Sequence, residues 1–240
     1  MKLASIVGGV TALLFVHAAL ANEVNVKKAV APVLTELFGP GVKVDAVRKA
    51  GALGLYEIQI GGDILYTDEK AAFLVVGDIL DVKARKNLTE ERKQKLAQIN
   101  FADLPLELAA KQVKGNGRRV LATFEDPNCS YCKKLAQELQ NVTDITIYTF
   151  VYPIFPQSGE VAKGIWCAPD RAKAWNDYVL NGVQPPAAKC NTAGLDRVVA
   201  LGRQLNIRGT PALFFADGSR VPGYMPGAAL EKALNERSAR

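Results

Sequence analysis

The stretch Phe124-Glu125-Asp126-Pro127-Asn128-Cys129-Ser130-Tyr131-Cys132-Lys133-Lys134 decides how the rest of the chain is read. Upstream, Arg119 to Phe124 is a short, mostly apolar run of the kind that forms a buried strand. Downstream, Lys134 to Leu139 has helical spacing and no breaker. The two cysteines therefore sit where a strand hands over to a helix. Pro127 and Asn128 supply the turn and the N-cap, which places Cys129 in the first helical turn, its sulfur near backbone N–H groups without an intrahelical partner. Those groups and the positive end of the helix dipole favour a thiolate over a thiol. Cys132 follows three residues later on the same helix face, with Cβ atoms roughly 5–6 Å apart, close enough for a reversible disulfide.

The chain around this stretch has 240 residues, 49% hydrophobic and 22% charged, room for one large or two ordinary globular domains. Residues 1 to 21 stand apart. Lys2 gives a positive start, Leu3 to Leu20 is apolar except for Ser5, Thr11 and His17, and Ala19-Leu20-Ala21 is a small-x-small site ahead of Asn22. This pattern is that of a cleaved secretory signal peptide rather than of a retained membrane anchor. Its removal takes away His17, the only histidine, which excludes Cys-His or Ser-His catalysis and His-ligated zinc. All four cysteines stay, in an oxidising compartment where an even count favours disulfides.

The formal charge of +6 becomes +5 without Lys2. Its densest basic cluster is Lys83, Arg85, Lys86, Arg92, Lys93 and Lys95. No aromatic residue is interleaved with these charges, so the cluster reads as a solvated helix face and not as a nucleic-acid site.

Between Asn22 and Lys83 the pattern is one helix followed by short strands. Val26, Val30, Val33, Leu34 and Leu37 have helical spacing, interrupted by Pro32 and stopped at Gly39-Pro40-Gly41. The strand-like runs are Val42 to Val47, Leu55 to Ile60, Ile64 to Thr67, Phe73 to Val76 and Ile79 to Val82, separated by turn signals at hairpin distances. A domain of about 60 residues has a marginal core and gains from pairing with a copy of itself. The alternating segment Phe73 to Val82 offers an edge for that pairing, with a capped sheet as the alternative. From residue 84 to 104 a polar helix follows, capped by Asn87 with Glu90, or by Thr89, and running to Ile99; it reads as a connection through solvent.

After Pro105 the chain alternates strand and helix. Ile145 to Tyr152 is a second buried strand, so strand, helix, strand implies a parallel pair. Gly159 to Cys167, Arg171 to Leu180 and Leu195 to Leu205 are helical in pattern. Ala212 to Phe215, the turn Asp217-Gly218, Arg220-Val221 and a helix from Ala228 to Asn235 close the chain.

With Cys129-Ser130-Tyr131-Cys132 after a strand, Gly209-Thr210-Pro211 before a late strand, a second pair Cys167 and Cys190 in a helical insertion, and a cysteine-free amino-terminal domain, the chain resembles a thioredoxin fold. It is most similar in arrangement to the DsbC and DsbG family of periplasmic disulfide isomerases. The resemblance implies an α+β, cystatin-like dimerisation domain over 22–83, a linker helix over 84–104, and an α/β thioredoxin-fold domain with a helical insertion over 105–240. It implies Cys129 and Cys132 as the catalytic pair, Ser130 and Tyr131 as the active-site loop, and Thr210-Pro211 as a cis-proline loop that binds substrate. It further implies a structural disulfide between Cys167 and Cys190, no metal and no cofactor.

The activity so implied is rearrangement of wrong disulfides in secreted proteins, in a periplasmic homodimer kept reduced by a membrane electron donor of the DsbD type. A DsbG-like reductase of single-cysteine adducts and a monomeric thiol oxidase are the alternatives. A four-cysteine zinc module is a further one, which the 22-residue gap between Cys167 and Cys190 fits poorly. Two positions depart from the family pattern. Ser130 stands where glycine is usual, and Thr123 stands where thioredoxins carry a buried acid, which leaves the local proton route unassigned.

Overall fold

The computed structural model describes residues 10–238, with side chains over 22–238. The signal-peptide reading of residues 1–21 and the cleavage site after Ala21 lie outside the described side chains. Among the described residues no helix is long and apolar enough to cross a membrane. The chain forms two compact units that divide between Lys93 and Gln94.

In the first unit, helix α1 (Val10–Phe38) lies on an antiparallel sheet of β1 (Ala46–Lys49), β2 (Tyr56–Ile60), β3 (Asp63–Thr67) and β4 (Leu74–Val75), in that order. The buried stripe is Val26, Val30 and Leu34, four residues apart, packed against Val47, Tyr56, Ile58 and Leu65. Val33 and Leu37, which shared the helical spacing, face outward. Pro32 does not break α1. It sits on the exposed side, where the Lys28 carbonyl that loses its partner is open to water.

The alternating segment Phe73 to Val82 does not form one strand. Gly77, at φ +152°, turns the chain, leaving β4 and a separate strand β5 (Leu80–Asp81) that pairs with β6 (Lys86–Asn87).

Helix α2 (Leu88–Leu96) is capped by Asn87, whose Oδ1 accepts from Glu90 N at 2.9 Å. Thr89 turns inward instead, its Oγ1 2.5 Å from the Tyr66 hydroxyl and accepting from Ile79 N. The helix ends at Leu96 and not at Ile99. Glu57 is buried, and burial alone raises its pKa. Hydrogen bonds from Arg48, Gln59 and Arg92 outweigh that effect and hold the carboxyl below its usual range. The basic cluster is therefore only partly a solvated helix face. Arg92 pairs with Glu57, Lys93 with Glu90 and Asp78, and Lys86 with Glu91 from β6.

The second unit is built on a five-stranded sheet. Its elements run β7 (Ala110–Lys114), β8 (Arg119–Glu125), α3 (Ser130–Gln140), β9 (Ile145–Val151), α4 (Gly159–Cys167), α5 (Arg171–Asn181), α6 (Ala193–Gln204), β10 (Ala212–Phe215), β11 (Arg220–Pro222) and α7 (Gly227–Glu236). The strand order is β11-β10-β8-β9-β7, with β8 and β9 parallel and the other neighbours antiparallel. β8 is central, and its alternation feeds two cores. Ala122 and Phe124 join Phe150, Trp175 and Phe214 on one face; Leu121 joins Leu135, Ile145, Leu213 and Leu230 on the other.

The hairpin turn at Asp217-Gly218 requires its glycine. Gly218 has φ +80°, and a Cβ there would run into the carbonyl oxygen of Ile99, whose N–H donates to Gly218 O at 3.0 Å.

Cys167, at the end of α4, is bonded to Cys190, with Cα atoms 5.6 Å apart and a sequence separation of 23. Two of the four thiols are thus consumed, which overturns the four-cysteine zinc module. Beside the bridge, the Arg171 guanidinium lies 3.7 Å over the Trp166 ring, whose Nε1 donates to Asn191 O. Replacing Cys167 and Cys190 together by serine is expected to lower stability by about 3 kcal/mol through the loop left open in the unfolded chain, or roughly 10 °C in Tm. Thermal unfolding without reductant checks this, and an unchanged Tm would show that the bridge is not structural.

Candidate active site

Strand β8 is buried along its last five residues, Leu121 to Glu125, and delivers the chain directly to the Cys129 turn. The turn is held by Asp126, which is fully buried. One carboxylate oxygen accepts from Asn128 N at 2.7 Å and from the Ser158 hydroxyl at 2.6 Å. The other accepts from Ile154 N at 2.7 Å and Phe155 N at 3.0 Å. A single carboxylate thus ties the segment before the cysteines to the segment leaving β9. Asn128 does not cap the helix. Its amide donates to Ser158 Oγ at 3.0 Å and its carbonyl accepts from the Tyr178 hydroxyl at 2.8 Å.

Cys129 itself is the N-cap residue of α3, with extended backbone, φ −75° and ψ 121°, and Lys133 N closes the first helical bond onto its carbonyl at 3.1 Å. This corrects the expectation that Cys129 lies within the first turn. At the cap its side chain makes no hydrogen bond to the N–H groups of the first turn. The Cys129 thiol, 5% exposed, donates to the carbonyl oxygen of Thr210 at 3.2 Å. The Thr210–Pro211 peptide is cis, and it brings that carbonyl to the sulfur from the start of β10.

Cys132 lies one turn deeper with no exposed surface, and the two cysteines are unbridged. Burial raises the Cys132 pKa, and the nearby Glu125 and Cys129 charges raise it further. The Thr210 hydroxyl, a buried group with no hydrogen-bond partner of its own among the described residues, lies near the same sulfur. Ser130 is exposed. Tyr131 is half exposed, its ring 6.0 Å from that of Tyr224 and 5.1 Å from the Lys134 ammonium. Ile154 and Phe155, which the Asp126 carboxylate fixes beside the turn, add partly exposed apolar surface.

The arrangement sets one sulfur with 5% of its residue surface exposed in front of a second with none. Among the described residues no group of three or more His, Cys, Asp or Glu is placed to hold a metal. The sequence reading missed three things here. Asp126 was not singled out, although an Asx residue three positions before the N-cap Cys129 is a turn signal. Ser158 and Tyr178 come from distant elements and have no local signature. Glu125 ends β8 as a buried acid, two residues on from the Thr123 position where none was found.

Comparison with known proteins agrees with this geometry. Residues 106–238 match the thioredoxin-like domain family, and residues 17–90 match the disulfide bond isomerase protein N-terminal domain. A probable thiol:disulfide interchange protein DsbC of Bordetella pertussis is 51% identical over 195 residues, covering 81% of this chain and 69% of that one. The thiol:disulfide interchange protein DsbC of Escherichia coli K12 is 30% identical over 203 residues, covering 82% and 83%. A crystal structure of a disulfide interchange protein from Neisseria gonorrhoeae superposes with a TM-score of 0.55 at 37% identity, over 57% of this chain and all of that one. Two domain matches in the expected order, and relatives that span both, leave one assignment: the chain belongs to the DsbC family of thiol:disulfide interchange proteins.

Proposed function

We propose that the protein rearranges incorrect disulfides in secreted proteins, with Cys129 as nucleophile and Cys132 as resolving thiol. The observation that carries this reading is the contrast between the two sulfurs. One sits at a helix cap against Thr210 and keeps 5% of its surface exposed; the other, one turn further in, has none. Cys129 attacks a substrate disulfide, forms a mixed disulfide and expels one substrate thiolate. That thiolate, or another from the same substrate, then attacks to give a new pairing and frees Cys129; alternatively, Cys132 attacks and releases a reduced substrate. Thr210 O lies beside the reacting sulfur, where the backbone of an extended substrate pairs with the cis-proline loop. Tyr131, Ile154 and Phe155 supply apolar contact for non-native chains.

In this reading residues 1–21 are a leader cleaved on export to the periplasm, 22–83 a dimerisation domain, 84–104 a linker and 105–240 the redox domain. A membrane donor of the DsbD type keeps the cysteines reduced. Homodimerisation is supported by the first unit, where β4 has an outer edge unpaired among the described residues and Phe73, Val75, Val76, Leu80 and Val82 are exposed. The mature protein is expected to refold scrambled ribonuclease in a glutathione buffer and to sediment as a dimer at micromolar concentration. Refolding no faster than the buffer would overturn the isomerase reading. A monomer would overturn the dimer.

A further inference from the structure

We propose that Glu125 is the base that takes the proton from Cys132 when Cys132 attacks the mixed disulfide at Cys129. The inference rests on the reading of Cys129 as nucleophile and Cys132 as resolving thiol, and it deepens that reading.

Glu125 is 1% exposed at the end of β8, on the sheet face that α3 covers, and its charge acts on the Cys132 sulfur. Its two oxygens are unequal. Oε1 accepts from the Thr123 hydroxyl at 2.7 Å, whereas Oε2 has no hydrogen-bond partner among the described residues. A buried carboxylate oxygen without a donor is costly and calls for an explanation. Cys132 has the complementary need: a thiol with no exposed surface cannot shed its proton to bulk water. Behind Glu125 lies a cleft of about 360 Å³, lined also by Gln112, Lys114, Thr149 and Asn176, through which a proton can leave.

The charged and titratable groups around Glu125 leave it this part. From α3 come Cys132 and Cys129. From β7 comes Lys114, whose ammonium donates to the carbonyls of Leu139 and Gln140 at 2.7 Å each. The neighbouring Asp126 is saturated by its four donors.

The Cys132 S–H bond breaks and its proton passes to the Glu125 carboxylate. The resulting thiolate attacks Cys129 Sγ, the Cys129–Cys132 bond forms, the bond from Cys129 to the substrate sulfur breaks, and the electron pair leaves with the substrate thiolate. Over the two attacks together, the cysteine pair is oxidised by two electrons and the substrate disulfide is reduced by two. Burial pushes the Glu125 pKa up to about 7. Only the ionised carboxylate accepts a proton, so the resolving step should speed up as pH rises through about 7.

The test is stopped-flow reaction of the reduced protein with dithiobis(nitrobenzoate), which releases one nitrothiobenzoate on attack by Cys129 and a second on resolution by Cys132. That leaving group departs without needing a proton. In Glu125→Gln the first phase should keep its rate. The second should slow about tenfold or more at pH 7, lose its rise with pH near neutrality, and recover at high pH. Glu125→Asp should keep the pH inflection with a reduced rate, and it serves if the Gln variant does not fold. Equal second phases in wild type and Gln variant from pH 5 to 9, or equal slowing of both phases, would overturn the assignment. Absence of the first phase in the wild type would instead overturn the reading of Cys129 as nucleophile.

Discussion

Replacing Cys129 by alanine is expected to reduce the refolding of scrambled ribonuclease to the rate of the glutathione buffer. Cys132→Ala should keep the first attack and accumulate covalent adducts with substrate. The asymmetry follows from where the two sulfurs sit. Cys129 caps α3, keeps 5% of its surface exposed, and among the described residues has the Thr210 carbonyl as its polar partner, so it is the sulfur an incoming disulfide meets first. Cys132 is sealed, and burial opposes its ionisation, so it cannot stand in as the first nucleophile. Its own loss removes the intramolecular exit from the mixed disulfide, leaving only attack by substrate thiols or by added thiol. Non-reducing gels of the Cys132→Ala variant should show adducts that reductant dissolves. Retention of more than about a tenth of wild-type activity by Cys129→Ala would show that the catalysis does not run through this sulfur.

The second large effect is expected at Asp126. Asp126→Ala should cost about 3–5 kcal/mol, since two loop amides, Asn128 N and the Ser158 hydroxyl lose a charged acceptor inside the protein. The four bonds do not add independently, which keeps the total below their sum. At roughly 2–4 °C per kcal/mol for a chain of this length, Tm should fall by about 10 °C or more. Asp126→Asn should fall between the two, because one oxygen remains to accept while the amide nitrogen brings donors to face donors. The Cys129 turn loosens with the same change, so the Ala variant should also react more slowly with nitrobenzoate disulfide. Chemical unfolding checks the stability, and a loss under about 1 kcal/mol would mean that the Asp126 bonds are not what holds the two loops.

Near the cysteines the local code was strong. An apolar run, a proline turn and a helical pattern are each read from neighbouring residues, and β8, α3, β9 and β10 emerged with ends within a few residues of those observed. β7 was not seen because an edge strand with the sequence Ala-Lys-Gln-Val-Lys buries little and shows no apolar alternation. The edge drawn across Phe73 to Val82 is interrupted at Gly77-Asp78, the turn that separates its two strand-like runs. Its apolar alternation was real, but those side chains are exposed and Gly77 breaks the backbone. Asn128 was read as a cap from its residue type; Ser158 and Tyr178, contributed from beyond β9, drew its side chain away from the helix.

The sequence by itself determined the order of elements and the pairing of a reactive motif with a helix start, because these depend on residues close along the chain. Only the tertiary structure decided which sulfur is outer and which is sealed, that the Thr210 carbonyl stands against Cys129 across a separation of 81 residues, and that the acid beneath Cys132 is Glu125. Burial and proximity between distant segments are properties of the packed sheet. A linear pattern can offer a buried acid or an exposed thiol, but the sheet register and the helix laid over it choose between them.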